Sequence, residues 1–175
     1  VAAAVKTESQ GTNWTIERSY GTEFLYLGYN CEPSNDLSNL ALRRAITYCI
    51  DKTSISALDV SGSAKITDSI LSSRDTPWYN TSIQKYNIDM AEANSIMDEA
   101  GYFDVNGDGW RERPDGSTFS LKFLVPPDTS TEEISLVTSG AIIRVAVEKM
   151  GVNITPVNLP EADRIAAVEA NDFDI

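Results

Sequence analysis

Residues 104–115, DVNGDGWRERPD, place oxygen-bearing side chains at alternate positions and then turn on a glycine. With Asp104 as position 1 of a calcium loop, Asn106 and Asp108 fall at positions 3 and 5, Gly109 at the turn, the Trp110 carbonyl at 7, Glu112 at 9 and Asp115 at 12. Calcium takes about 6 to 8 hard oxygens, and alternating side chains on a tight loop can converge on one ion. Two features depart from that register: Asp115 is shorter than the usual glutamate, and the residues that follow read as a strand where an EF-hand has a helix. The same residues fit a second reading, an Asx-rich turn in which Asp104 and Asn106 cap backbone N–H groups and Gly107 and Gly109 take positive φ. In that case Asp104, Asp108, Glu112 and Asp115 repel one another, and Arg111 and Arg113 are expected to offset part of the repulsion. Both readings give the loop a stabilising role, and the sequence leaves the choice open.

The other chemistry-bearing residues are few. The chain has no histidine and two cysteines. Ser-His-Asp and Cys-His catalysis and histidine-ligated zinc or iron are therefore excluded. Carboxylates abound without forming an evident acid–base pair, so an enzyme is not expected. Cys31 precedes a helix and Cys49 lies near its far end, whereas a disulfide needs α-carbons within about 7 Å. Cys49 shares the helical spacing of Leu42, Ala45, Ile46 and Ile50 and reads as a small, unpaired core residue. Tyr26, Tyr29, Trp78, Tyr79 and Tyr86 fit either a core or the apolar wall of a ligand site; Trp78 and Tyr79, on a loop, are the candidates for ligand contact.

These residues depend on the elements around them. EFLYLGYN, residues 23–30, is dense in apolar residues and predicts a buried strand. EPSNDLSN supplies turn and cap residues for a helix running to about Ile50, and Asp51 starts a second, short one. Residues 61–87 read as a long irregular stretch. In DMAEANSIMDEAGY, Asp89 and Glu92 form a capping box, Ala93, Ile96, Met97 and Ala100 make an apolar face, and Gly101 stops the helix. FSLKFLV, residues 119–125, alternates as a strand; Ser130 and Glu133 form a second capping box for a helix ending near Met150, before Gly151. VNITPV is the next strand, Pro160 opens the helix EADRIAAVEA, and FDI begins another strand. Strands separated by helices predict an α/β domain with a mixed sheet flanked by helices.

The 175 residues suffice for one sizeable domain. Residues 1–22 read as a lead-in segment with one strand around NWTIERSY, and residues 23–175 as a single α/β lobe truncated at its C-terminal strand. A net charge of −12 argues against nucleic-acid and anionic-membrane partners. No run approaches the roughly 20 apolar residues of a membrane span, and VAAAV is too short and lacks the basic flank of a signal peptide. An exported protein would carry its targeting segment outside these residues.

Three stretches in order carry a family resemblance: FLYLGYNCEPSNDLSNLALRRAITYCIDKTSI, YNIDMAEANSIMDEAGYFDVNGDGWRERPDG, and AIIRVAVEKMGVNITPVNL with NDFDI after it. Over about residues 24–175 the chain resembles the family 5 extracellular solute-binding proteins, the peptide, oligopeptide and nickel receptors of ABC importers. The resemblance implies a two-lobed receptor of the type II periplasmic-binding-protein kind, which closes on a peptide or other small solute and presents it to an ABC permease. It further implies an extracytoplasmic location, as a cell-surface lipoprotein or in the periplasm, and a missing first lobe that surrounds this one in sequence. No cofactor is required, with structural Ca2+ at the 104–115 loop left open. The family's usual Pro-Phe is displaced, with Pro33 upstream and Leu37 in the apolar slot; Cys49 stands where alanine is usual, and Arg43 reads as structural. The aspartate that receives the ligand amine in peptide-binding members falls beyond Ile175. The alternative function is a calcium-dependent extracellular interaction module built on the 104–115 loop.

Overall fold

The computed structural model describes residues 25–58, 64–71, 78–127 and 134–175. The lead-in strand expected around NWTIERSY and the Ser130–Glu133 capping box lie outside these residues.

Local capping starts the first elements. Asn35 accepts the Leu37 N–H to start a 3-10 turn, Asp36–Ser38, and Asn39 accepts the Ala41 N–H to start α1, Leu40–Cys49. α1 buries Leu42, Ala45, Ile46 and Cys49, the stripe that helical spacing predicts. Arg43 donates to the carbonyls of Leu37 and Ser38 and so ties helix to turn. The short α2, Lys52–Ser56, begins at Asp51, whose carboxylate accepts the N–H groups of Thr53 and Ser54.

α3, Met90–Glu99, is capped by Asp89 through the Glu92 N–H, 2.9 Å. The reciprocal arm of the expected capping box is not made. The Asp89 N–H donates to Tyr48 O instead, 2.8 Å, which fastens the start of α3 to the last turn of α1. Between the two helices lie Ala93, Ile96 and Met97, and Tyr86 meets Tyr48 edge-on at 5.1 Å. Gly101 ends the helix at φ +85°, a conformation costly for any residue with a Cβ.

β1, Leu121–Val125, and β2, Ile154–Asn158, pair in parallel with Leu121 opposite Ile154 and Val125 opposite Asn158. The crossover between them contains α4, Ile134–Lys149. β1 alternates in burial, with Leu121, Phe123 and Val125 inward. α4 meets that face through Gly140, where a Cβ would lie 3.0 Å from Val125 Cγ1. After β2 comes α5, Glu161–Glu169, preceded by Pro160. The chain then returns to the other edge of β1: Ile175 N–H donates to Lys122 O, and Leu124 N–H donates to Ile175 O, the bonding of a parallel rung. This is where FDI was expected to begin a strand. Among the described strands the pairing is parallel, and the antiparallel contact is an isolated bridge between Phe103 and Glu112.

One apolar core joins α1, α3 and α4 to the sheet, and Leu42, Ile46, Met97, Leu121, Val147 and Val152 in it are fully buried. Each such side chain contributes about 1.5–3 kcal/mol over its exposed state. The expected strand in EFLYLGYN is absent over residues 25–30, and Leu25 and Tyr26 are exposed. The segment is held near its end, where the Asn30 N–H donates to Asp174 O, 2.9 Å. Apolar density marks a chain that packs, but a strand also needs a neighbour offering a ladder of backbone groups. Cys49 is buried and Cys31 exposed, and both are free thiols. No described helix is long and apolar enough to cross a membrane.

Candidate functional site

The 104–112 loop is closed at its base by the Phe103–Glu112 bridge and shaped by its own side chains. Asp104 accepts the N–H of Gly107 at 2.7 Å through Oδ1 and that of Gly109 at 2.9 Å through Oδ2. Asn106 Oδ1 accepts from the Asp108 N–H, and Asp108 Oδ1 from the Trp110 N–H, each at 2.8 Å. Gly107 and Gly109 take φ +80° and +93°, which lets successive N–H groups turn inward. Glu112 is 3% exposed and accepts from the Val105 N–H at 2.8 Å and from Asn106 Nδ2 at 2.7 Å.

Carboxylate oxygens of Asp104, Asp108 and Glu112 lie within 4.8 Å of one another. Asn106 Nδ2 also donates to Asp108 Oδ2, 3.1 Å, so its amide bridges two of these carboxylates. Of the six positions in the calcium register, the structure thus gathers Asp104, Asn106, Asp108 and Glu112, with the Trp110 N–H bound to Asp108. Asp115 stands on a separate turn, where it accepts the N–H and hydroxyl of Ser117. Those hydrogen bonds, helped by the charge of Arg113, hold its carboxyl below the usual carboxylate range.

Arg113 offsets Asp115 as the sequence predicts, but otherwise the arginines serve groups outside the loop. Arg111 turns away from the loop carboxylates and donates to Asp98, Asn94 Oδ1, Tyr102 O and Met150 O. Arg113 makes a two-pronged pair with Asp36 and lies over the Phe119 ring, 5.2 Å from its centroid. The guanidinium fork favours groups it can bind in its own plane. Repulsion inside the 104–112 loop is offset by the Asn106 amide and the backbone N–H groups, while the arginines anchor the loop to α3, to the end of α4 and to the 3-10 turn.

That anchoring fixes the loop at one edge of the sheet. The Arg111 N–H donates to Gly151 O at 2.7 Å, just ahead of β2, and residues 117–120 lead directly into β1. Five residues at about 3.3 Å each put the carboxyl ends of the strands roughly 17 Å away. At that far edge stand Val125 with Pro126 and Pro127, and Asn158 with Leu159, whose N–H donates to Val125 O. Ligands of open parallel α/β sheets bind outside the carboxyl ends of the strands, and the acidic loop stands at the opposite edge.

The aromatic residues divide. Tyr29 is packed inward with its hydroxyl 3.2 Å from Thr47 Oγ1, and burial pushes its pKa up to about 12. Trp78 is 76% exposed and Tyr79 half-buried.

A polar latch escaped the sequence reading. The Asn30 amide donates to the carbonyls of Asn171 and Phe173 and accepts the Glu32 N–H. Asn35 donates to Asp174 Oδ1, and Asp174 Oδ2 accepts the Lys122 N–H. Together these bonds align residues 171–175 with β1. Asn30 and Asn171 are 141 positions apart, so no local pattern announces the contact.

Parallel strands joined by crossover helices and packed on a single core make an α/β lobe, and solved structures of periplasmic binding proteins share this fold. The chain belongs to the bacterial extracellular solute-binding proteins, family 5, whose middle region matches residues 2–175. It is similar to the oligopeptide-binding protein AppA of Bacillus subtilis (strain 168), at 23% identity over 151 residues, covering 84% of this chain and 27% of that protein. Among solved structures, NikA from Brucella suis in complex with Fe(III)-EDTA is 27% identical with a TM-score of 0.65, covering 81% of this chain and 27% of NikA. AppA in complex with a nonapeptide is 21% identical with a TM-score of 0.66, covering 78% of this chain and 27% of AppA. The chain therefore spans about a quarter of the length of the relatives it matches.

Proposed function

We propose that this chain is one lobe, residues 23–175, of the substrate-binding component of an ABC importer, and that it forms one wall of a cleft that closes on a peptide or similar small solute. The observation carrying this reading is the common direction of the strands: β1, β2 and the segment latched by Asn30 and Asn35 all run toward one edge. In this reading the remainder of the receptor supplies the opposite wall, and an ABC permease receives the solute. The protein binds without transforming its solute, works outside the cytoplasm as a cell-surface lipoprotein or in the periplasm, and needs no cofactor. Trp78 and Tyr79 are the aromatic side chains proposed to touch the solute, since rings that solvent reaches supply apolar wall at little entropic cost.

Calorimetry of the full-length receptor against peptide and nickel-chelate libraries tests this. Saturable binding of one solute class is expected; a receptor that binds nothing in either library sinks the proposal. The alternative of a calcium-dependent interaction module finds no support in the family match. Calcium titration of the melting temperature decides separately whether the oxygens of Asp104, Asp108 and Glu112 hold an ion: a rise reversed by chelator adds an ion to the loop, and no rise leaves it self-capped.

A further inference from the structure

Of the chain's asparagines, only Asn106 precedes a glycine. Such a pair is chemically frail in an unstructured chain, because no Cβ on the glycine hinders attack of its backbone nitrogen on the asparagine carboxamide. A bond forms from Gly107 N to Asn106 Cγ, the Cγ–Nδ2 bond breaks, and Nδ2 leaves as ammonia with the proton given up by Gly107 N. Water then opens the cyclic imide and leaves aspartate, or its isomer linked to Gly107 through the side-chain carboxyl carbon.

Each group that must move in this reaction is held in the folded loop. The Gly107 N–H donates to Asp104 Oδ1 at 2.7 Å, so the attacking nitrogen is tied by its proton, and the negative charge beside it opposes removal of that proton. Asn106 Oδ1 accepts from the Asp108 N–H at 2.8 Å, which turns the carboxamide toward the nitrogen two positions on and not toward the next one. The leaving group, Asn106 Nδ2, donates to Glu112 Oε1 at 2.7 Å and to Asp108 Oδ2 at 3.1 Å. Glu112 is itself buried and bound to the Val105 N–H, which makes it a fixed anchor. Crowding does not protect the pair: Asn106 and Gly107 are exposed, and nothing lies within 4 Å of a Cβ built on Gly107.

We propose that Asn106–Gly107 is a deamidation site which the Asp104 and Glu112 carboxylates hold shut, so that Asn106 converts to aspartate only when the loop opens. The product cannot restore the loop. Aspartate at 106 has no amide to donate, and it adds a fourth carboxylate to those of Asp104, Asp108 and Glu112, whose oxygens lie within 4.8 Å of one another. A loop that has reacted once is therefore left looser than the one it came from.

The test is peptide mapping by mass spectrometry of the full-length protein, held with chelator at mildly alkaline pH, with fragmentation assigning the amide-to-acid mass change to Asn106. A synthetic peptide of residues 104–115 is the reference. Deamidation at least about tenfold slower in the folded protein than in the peptide is expected, because the loop must open before it reacts. Asp104→Ala should raise the rate in the folded protein about fivefold, the weight of one lost cap. Asp115→Ala, which frees only the separate turn at Ser117, should leave the rate unchanged. Equal rates in folded protein and peptide overturn the proposal, as does an Asp104→Ala rate that equals the wild-type rate or is matched by Asp115→Ala. Should Asp104→Ala fail to fold, seen as thiol labelling of the buried Cys49, Asp104→Asn takes its place, with one acceptor oxygen fewer and no charge, and the same rise is expected.

Discussion

At the residue scale, the acidic loop is organised by Asp104, which uses both carboxylate oxygens on N–H groups that two glycines turn inward. Asp104→Ala is expected to cost about 1 kcal/mol, the usual value of such a cap, read as a lower urea midpoint. Solute affinity should stay unchanged, because the loop stands at the edge away from the strand ends. Arg111 reaches one carboxylate, one amide oxygen and two main-chain carbonyls. A lysine there cannot span this set, and Arg111→Lys should destabilise by about 2 kcal/mol, since carbonyls are left unpaired. Cys49 supplies a pH dependence. Burial pushes its thiol up to about 12, whereas an unfolded thiol titrates near about 8.5. A folded value above the unfolded one stabilises fully below about pH 8.5 and is lost as pH rises toward the folded value. Denaturation followed from pH 7 to 11 should therefore show falling stability above about pH 8.5, and Cys49→Ala should flatten that part of the curve. The slope from Tyr29, whose hydroxyl is likewise raised to about 12 by burial, remains above about pH 10.

At the element scale, two close approaches determine how helices sit. α3 docks on α1 because the Asp89 N–H goes to Tyr48 O, and α4 docks on β1 because Gly140 leaves room for Val125. An added Cβ at position 140 would already lie 3.0 Å from Val125 Cγ1, so a longer side chain must displace the strand or the helix. Gly140→Leu should cost about 2 kcal/mol through overpacking, and Val125→Ala in the same protein should recover part of it. A double-mutant cycle by urea denaturation checks this; additive losses would mean that the two residues do not press on each other.

At the scale of the whole molecule, the lobe separates its two polar regions by the length of the sheet. The acidic loop anchors the ends of α3 and α4, and the proposed cleft lies at the carboxyl ends of β1 and β2. Asn158→Trp, at the exposed end of β2, is expected to weaken solute binding by the full-length receptor about tenfold or more while leaving the melting temperature unchanged. Val105→Ser, on the opposite edge, should change neither. Equal effects of the two substitutions on affinity would contradict the assignment of the cleft to the strand ends.

By itself the sequence determined the elements whose signals are local. Asn39, Asp51 and Asp89 each cap a helix through N–H groups two or three positions on, and Gly101 and Gly151 stop helices where only a positive φ continues the chain. The spacing of Leu42, Ala45, Ile46 and Cys49 was enough to place the inner face of α1, and three ordered motifs were enough to identify the family. Tertiary structure decided where each polar group with a distant partner goes. Arg111 leaves the loop beside it for Asp98 and the end of α4, Asn30 holds a segment 141 residues away, and 25–30 stays out of the sheet. The reason is physical: a cap or a helical stripe is complete within a turn or two of chain, whereas a buried amide or guanidinium must satisfy its hydrogen bonds with whatever groups the packed core brings within reach.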